Sequence, residues 1–126
     1  MLRSGALEAD QQLPYNLSKL TFRWAEEDPR VRAAFAAWSR CMAEAGHTYK
    51  DPWEPNDIPT WEDPAQENKT AVADVRCKHR TNLAGIWMVV EAAYQHAVVE
   101  ENRTALNAVE ELLHTQLAHA RAAVTP

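Results

Sequence analysis

The stretch Trp38–Tyr49, with the sequence WSRCMAEAGHTY, decides how this chain folds. It carries the end of a predicted helix, a cysteine, a helix-stopping glycine and the entry to a proline-rich segment. The other cysteine of the chain is Cys77, also in a predicted helix. In an oxidising compartment Cys41 and Cys77 would form a disulfide, whereas in a reducing cytosol they would be buried thiols or metal ligands. The disulfide is the preferred prediction.

Composition predicts a helical protein. The chain of 126 residues is rich in alanine and has only three glycines, which favours helices over strands. This length is typical of one domain. We expect residues 1–12 to form a disordered tail and residues 13–126 to fold as a single helical domain.

Charge and hydropathy limit the kinds of partner. The formal net charge is −5, and no basic face extends beyond the cluster at residues 76–80, so nucleic acid is not an expected partner. The longest apolar run, Ala84–Val90, is too short to span a membrane. The first residues show no signal peptide, so an exported protein would carry its signal upstream of this sequence.

Apolar periodicity and helix start signals predict a four-helix bundle-like domain. Two Asp-Pro pairs, at 28–29 and 63–64, each combine an N-cap with proline at the first helical position. Gly46 is a natural helix stop. The predicted helices cover about residues 15–27, 29–45, 64–80, and residue 83 onward.

The C-terminal segment has two interpretations. No glycine or proline occurs from Ile86 to Thr125, so we prefer one long helix. The alternative is a break at the polar run 100–103. The later part carries an apolar stripe at helical spacing: Leu106, Val109, Leu113 and Leu117.

The segment 47–63 is predicted to be a loop without helix, because it holds Pro52, Pro55 and Pro59. A Cys41–Cys77 disulfide would require this loop to run back along the bundle, since Cys77 lies about 20 Å into its helix. Its tryptophans would then cover the core. The residues that could instead contact a ligand or partner are Tyr49, Trp53, Glu54, Asp57 and Trp61.

A zinc site formed by Cys41, His47, Cys77 and His79 is a weaker alternative to the disulfide. Zinc sites usually take two short-spaced ligand pairs, and these spacings are Cys-x5-His and Cys-x-His. Residues two apart on a helix point to nearly opposite sides. No metal and no cofactor is therefore predicted.

The acidic residues of the predicted core are expected to be structural. Glu91 lies on an apolar stripe, where an ion pair with Arg76 or Arg80 would neutralise it. Asp74 resembles it, with Lys78 one turn away. No nucleophile elbow, phosphate loop or dinucleotide fingerprint occurs, so we expect a protein that is not an enzyme.

Three motifs resemble a family of uncharacterised actinobacterial proteins, which are small, exported and often carry a lipoprotein-type signal. The motifs are Trp38-x-x-Cys41-Met42-x-x-x-Gly46-x-x-Tyr49, Ala73-Asp74-x-x-Cys77 and Trp87-x-x-x-Glu91-x-x-Tyr94-Gln95. The resemblance covers roughly residues 28–106. It implies an extracellular or cell-surface location, which supports the disulfide, and proximity to cell-envelope transporter components. It implies no activity.

These observations lead to three hypotheses. The first is a non-enzymatic extracytoplasmic module that binds a protein or small-molecule ligand through the loop at 47–63. The second is an accessory subunit that packs on a partner, or on a second copy of itself, through its C-terminal helix. The third is an enzyme of unknown class that uses Glu91, Asp74 and the histidines.

Overall fold

The structure is a computed structural model that describes residues 9–126. These residues form helices and no strand, which confirms the predicted all-α class. Residues 1–8, most of the predicted tail, lie outside the described residues. The helices are α1 (Leu13–Glu27), α2 (Pro29–Glu44), α3 (Trp53–Asn56), α4 (Pro64–Thr81), α5 (Leu83–Glu101) and α6 (Arg103–Val124).

The described residues divide into two compact units. The first, here called the disulfide unit, is Arg23–Ala92. The second, the terminal unit, combines the described residues up to Phe22 with Ala93–Pro126. No helix in the described part of the chain is long and apolar enough to cross a membrane.

In the disulfide unit, helix α2 begins and ends where the sequence predicts. The Asp28 side chain accepts a hydrogen bond from the Arg30 backbone N–H at 2.8 Å, which caps the helix start. At the other end Gly46 adopts a left-handed φ of +91°, and the His47 N–H donates to the Met42 carbonyl at 2.9 Å. This pairing satisfies a carbonyl at the helix end and turns the chain away from the helix axis.

Helix α2 packs on α4 through an apolar core that the disulfide crosslinks. The predicted Cys41–Cys77 disulfide is confirmed, with the two Cα atoms 5.7 Å apart. Both cysteines are buried. The other buried residues of these two helices are Val31, Ala34, Phe35, Trp38 and Met42 on α2, and Thr70 and Ala73 on α4.

The predicted return of the loop along α2 is confirmed. The Ser39 hydroxyl donates to the Tyr49 carbonyl, and farther along the loop the Trp53 ring lies 6.5 Å from the Phe35 ring. The chain therefore moves toward the N-terminal half of α2 as the loop proceeds.

The prediction of no helix within 47–63 is wrong for one turn, α3. Pro52 and Pro55 fall at its N-cap and in its first turn, where a backbone N–H would have no helical partner in any case. The Asp51 carboxylate caps the turn by accepting from the Trp53 N–H at 2.9 Å. Proline at these positions therefore permits the helix that it would break elsewhere.

The preferred prediction of one long C-terminal helix is also wrong, and the alternative break is confirmed. Asn102 separates α5 from α6, with φ −115° and ψ 19°. Its side-chain amide donates to the Val98 carbonyl at 2.7 Å. Such local side-chain bonding to the backbone makes asparagine a poor residue for a helix interior.

An ion pair spans this break within the terminal unit. The Arg103 guanidinium hydrogen-bonds Glu100 at 2.7 Å and lowers the pKa of that carboxyl. Both side chains are exposed, so the pair adds little to stability.

Removing the disulfide by the paired substitutions Cys41→Ala and Cys77→Ala should lower the free energy of unfolding. A loop closed across a sequence separation of 36 residues contributes up to about 4 kcal/mol in the chain-entropy model. Urea unfolding followed by circular dichroism measures the difference. Reductant should destabilise the natural chain and leave the double variant unchanged; equal midpoints for the oxidised and substituted chains would contradict the expectation.

Candidate functional site

Trp53, one of the predicted contact residues, packs inward in the disulfide unit. Its ring meets those of Phe35 and Trp87 edge to face, with centroids 6.5 Å and 5.9 Å away. Phe35 and Trp87 stack on each other at 5.9 Å. Aromatic pairs in such geometries stabilise a core beyond the area they bury. The loop tryptophan therefore covers the core in this unit.

The other predicted contact residues of the loop divide into half-buried aromatics and exposed acids. Tyr49 and Trp61 are half-buried, whereas Glu54 and Asp57 are exposed. The Glu54 carboxylate accepts from the Lys50 backbone N–H and so closes the turn ahead of α3. The side chains that the loop exposes to solvent are therefore mainly acidic.

Asp74 holds α4 against α2. One carboxylate oxygen accepts from the indole N–H of Trp38 at 2.9 Å, and the other accepts from Lys78 at 2.9 Å. Trp38 is completely buried, so its N–H needs a partner within the protein. The Asp74 carboxylate meets that need while Lys78 balances its charge.

Glu91 has a different partner from the one predicted. It accepts a hydrogen bond from the indole N–H of Trp87 at 2.6 Å, one helical turn away on the same face. Among the described residues no ion pair joins Glu91 to Arg76 or Arg80. Arg80 pairs instead with Glu44 at 3.2 Å, on the surface.

The zinc alternative is excluded by the disulfide, because Cys41 and Cys77 have no free thiolate to bind a metal. The ring of His47 lies 3.4 Å from the hydroxyl of buried Thr70. Among residues 9–126, no group of three or more histidine, cysteine and acidic side chains could hold a metal ion.

Two adjoining cavities lie between the C-terminal end of α2 and helix α4. One, of about 310 Å³, is lined by His47, Lys69, Val72 and Arg76, among others. The other, of about 230 Å³, is lined by the disulfide and by Glu44 and Arg80. Ala45, Ala73 and Arg76 line both cavities, which we therefore treat as one feature, the α2–α4 groove.

In the terminal unit, the C-terminal half of α6 is exposed along its apolar stripe. Val109 is buried, but Leu113 and Leu117 are 51% and 48% exposed, and Val124 is 80% exposed. Ala120 completes the stripe and is also exposed. Steps of four, three and four residues keep these side chains on one side of the helix. We call Leu113, Leu117, Ala120 and Val124 the α6 anchor face.

Lys69 is not among the predicted site residues, and Arg76 is predicted only as a member of a core ion pair. Both are exposed, and both line the groove. Their separation by seven positions, with Arg80 four positions farther on, is a helical spacing that could have indicated a shared face. The shared face is not obvious from the sequence, because acidic residues lie between these basic residues along α4.

Comparison with protein-family models, with characterised proteins and with solved structures finds no match for this chain. The resemblance to an actinobacterial family therefore stays a prediction.

Replacing Trp53 with alanine should destabilise the disulfide unit by about 2 kcal/mol or more, because it opens the aromatic cluster with Phe35 and Trp87. Thermal unfolding followed by near-ultraviolet circular dichroism measures the loss. Asp57→Ala, at an exposed position of the same loop, is the matched control and should shift stability by less than about 0.5 kcal/mol. Equal effects of the two substitutions would contradict a core role for Trp53.

Proposed function

We propose that this protein is a non-enzymatic extracytoplasmic interaction module that packs on another protein through the α6 anchor face. The observation that carries the proposal is the exposure of that face at the end of a helix. Leucines spaced at i and i+4 on an exposed amphipathic helix are the usual anchors for an apolar groove on a partner. A buried Leu or Val side chain contributes about 1.5–3 kcal/mol, so a few such anchors suffice for specific binding.

The charges beside the anchor face favour a different protein over a second copy. Residues 112–126 contain Arg121 and two histidines, His114 and His119, but no acidic residue. Arg121 and His114 lie seven positions apart, on one flank of the face. Two copies packed face to face in antiparallel orientation would place these basic flanks on the same side of the interface. A partner with an acidic rim around an apolar groove fits better.

The small size of the α6 anchor face also favours a different protein over a second copy as the partner. The anchor face has four side chains over about three helical turns. A stable protein–protein interface usually buries about 1,600 Å² in total, with about 20–30 residues from each side. Two such faces alone would make a weak dimer, whereas a groove that encloses the helix end can contact more of its circumference.

The extracytoplasmic setting is proposed on the basis of the disulfide. Structural disulfides persist in oxidising compartments and are rare in the cytosol. A cell-envelope partner, such as a transporter component, is the kind that the actinobacterial resemblance implies. The loop at 47–63 is a less suitable contact surface, because Trp53 is engaged in the aromatic cluster.

Photocrosslinking in the organism that encodes the protein tests the anchor face. A benzophenone amino acid at position 117 should form one discrete adduct with a different protein, identified by mass spectrometry. The same group at Thr115, exposed on the opposite side of α6, is the control and should form much less of the adduct. Adding Leu113→Glu should reduce the adduct at position 117 by about tenfold or more. Adducts between two copies of this chain, or equal labelling at both positions, would contradict the proposal.

The compartment is tested separately by blocking free thiols at the moment of cell lysis. Cells are lysed in an excess of a thiol-blocking maleimide, and the intact mass of the protein is measured. We expect the mass of the unlabelled, oxidised chain, because an exported protein would already hold the Cys41–Cys77 disulfide. A chain carrying two maleimides would show that the cysteines are reduced in the cell and would rule out the extracytoplasmic setting.

A further inference from the structure

The α2–α4 groove concentrates positive charge in a chain that is acidic overall. Lys69, Arg76 and Arg80 all line it and all come from α4. At 100° per residue they fall within about 40° of one another around the helix axis. The acids of α4, Glu67 and Asp74, lie about 120° or more away on the other side. The acids of α4 therefore lie away from the groove, where Lys78 pairs with Asp74, and the other three cations face the groove.

Two of these cations have no anionic partner of their own. In the described part of the chain, neither Lys69 nor Arg76 forms an ion pair. Asp74 is committed to Trp38 and Lys78. The one carboxylate that lines the groove is Glu44, which pairs with Arg80; because both of those side chains are more than half exposed, this pair is weak and can open.

The opposite wall does not offset this positive charge. A helix C-terminus normally presents carbonyl oxygens that repel anions. At the end of α2, the carbonyls of Cys41, Met42 and Ala43 are already bonded to backbone N–H groups of residues 45–47. The closing turn at Gly46 thus leaves fewer free carbonyl oxygens at this end of α2 to repel an anion.

The groove also has an apolar component. Val72 lines it and is 49% exposed, and Ala73 forms part of its floor. Along the α4 axis, Arg76 and Arg80 are about 6 Å apart. Side chains two residues apart on one face of an extended peptide are separated by a similar distance, about 6.6 Å. The spacing of the cations thus matches an extended chain with acids at alternate positions.

From these observations we infer that the α2–α4 groove binds an extended acidic segment of a partner protein. Carboxylates at alternate positions of the segment pair with Arg76 and Arg80, and a further acid reaches Lys69. This surface belongs to the disulfide unit, whereas the α6 anchor face belongs to the terminal unit. The inference therefore does not depend on the proposed function of α6, and the two can fail separately.

The test uses a short fluorescein-labelled peptide of alternating glutamate and valine, with fluorescence anisotropy as the readout on the full chain. We expect saturable binding that weakens as salt is raised. Arg76→Glu should weaken it by about tenfold or more, because an attraction is replaced by a repulsion. Lys69→Glu should weaken it by a smaller factor. Circular dichroism checks that each variant remains folded, as expected for substitutions at exposed positions.

Two controls separate a specific groove from general electrostatics. Arg23→Glu makes the same change in net charge at an exposed position on α1 that lines neither cavity, and it should leave the affinity within about twofold. A peptide with glutamine in place of glutamate should not bind. Failure of the glutamate peptide to bind, or equal losses in Arg23→Glu and Arg76→Glu, would overturn the inference.

Discussion

The disulfide unit depends on the junction between α2 and α4, where a covalent bond and a partly buried hydrogen bond act one turn apart. Cys41 and Cys77 are crosslinked, and three residues earlier on each helix Trp38 donates its indole N–H to Asp74. The disulfide reduces the conformational entropy of the unfolded chain. The hydrogen bond gives a partner to the indole N–H of Trp38, which burial would otherwise leave unpaired. Together they fix both the spacing of the two helices and their register.

That register has consequences on both sides of α4. On one side, Asp74 accepts a hydrogen bond from Trp38 and forms an ion pair with Lys78, which balances its charge. The side toward the groove places Lys69 and Arg76 without such partners. Because the groove lies between two crosslinked helices, the disulfide and the Trp38–Asp74 hydrogen bond fix the backbone positions that carry its cations. A binding surface supported in this way needs little reorganisation on binding.

Local signals in the sequence predicted much of the fold. The Asp-Pro pairs, Gly46 and the apolar spacing of α2 act within a few residues, and the helices begin and end close to where these signals stand. The errors came from competing local effects. Pro55 is predicted to exclude a helix, although proline is tolerated in a first helical turn. One long C-terminal helix is predicted because residues 86–125 lack glycine and proline, and this absence is given more weight than the helix-breaking tendency of Asn102. The partner of Glu91 was missed because side-chain pairing depends on rotamers and burial, which periodicity does not specify. The groove depends on which side of α4 meets α2, and therefore on tertiary packing.

The distance in sequence between the two halves of the junction has a consequence for the kinetics of folding. Cys41 and Cys77 are separated by 36 residues, so the reduced chain must close a long loop before α2 and α4 can contact each other. Contacts between distant residues slow folding because the chain loses entropy before it gains contacts. In the oxidised chain that loop is already closed. The disulfide thereby turns a distant contact of the unit into a local one, and a chain that has once been oxidised begins each refolding with the segments of α2 and α4 already tethered to each other.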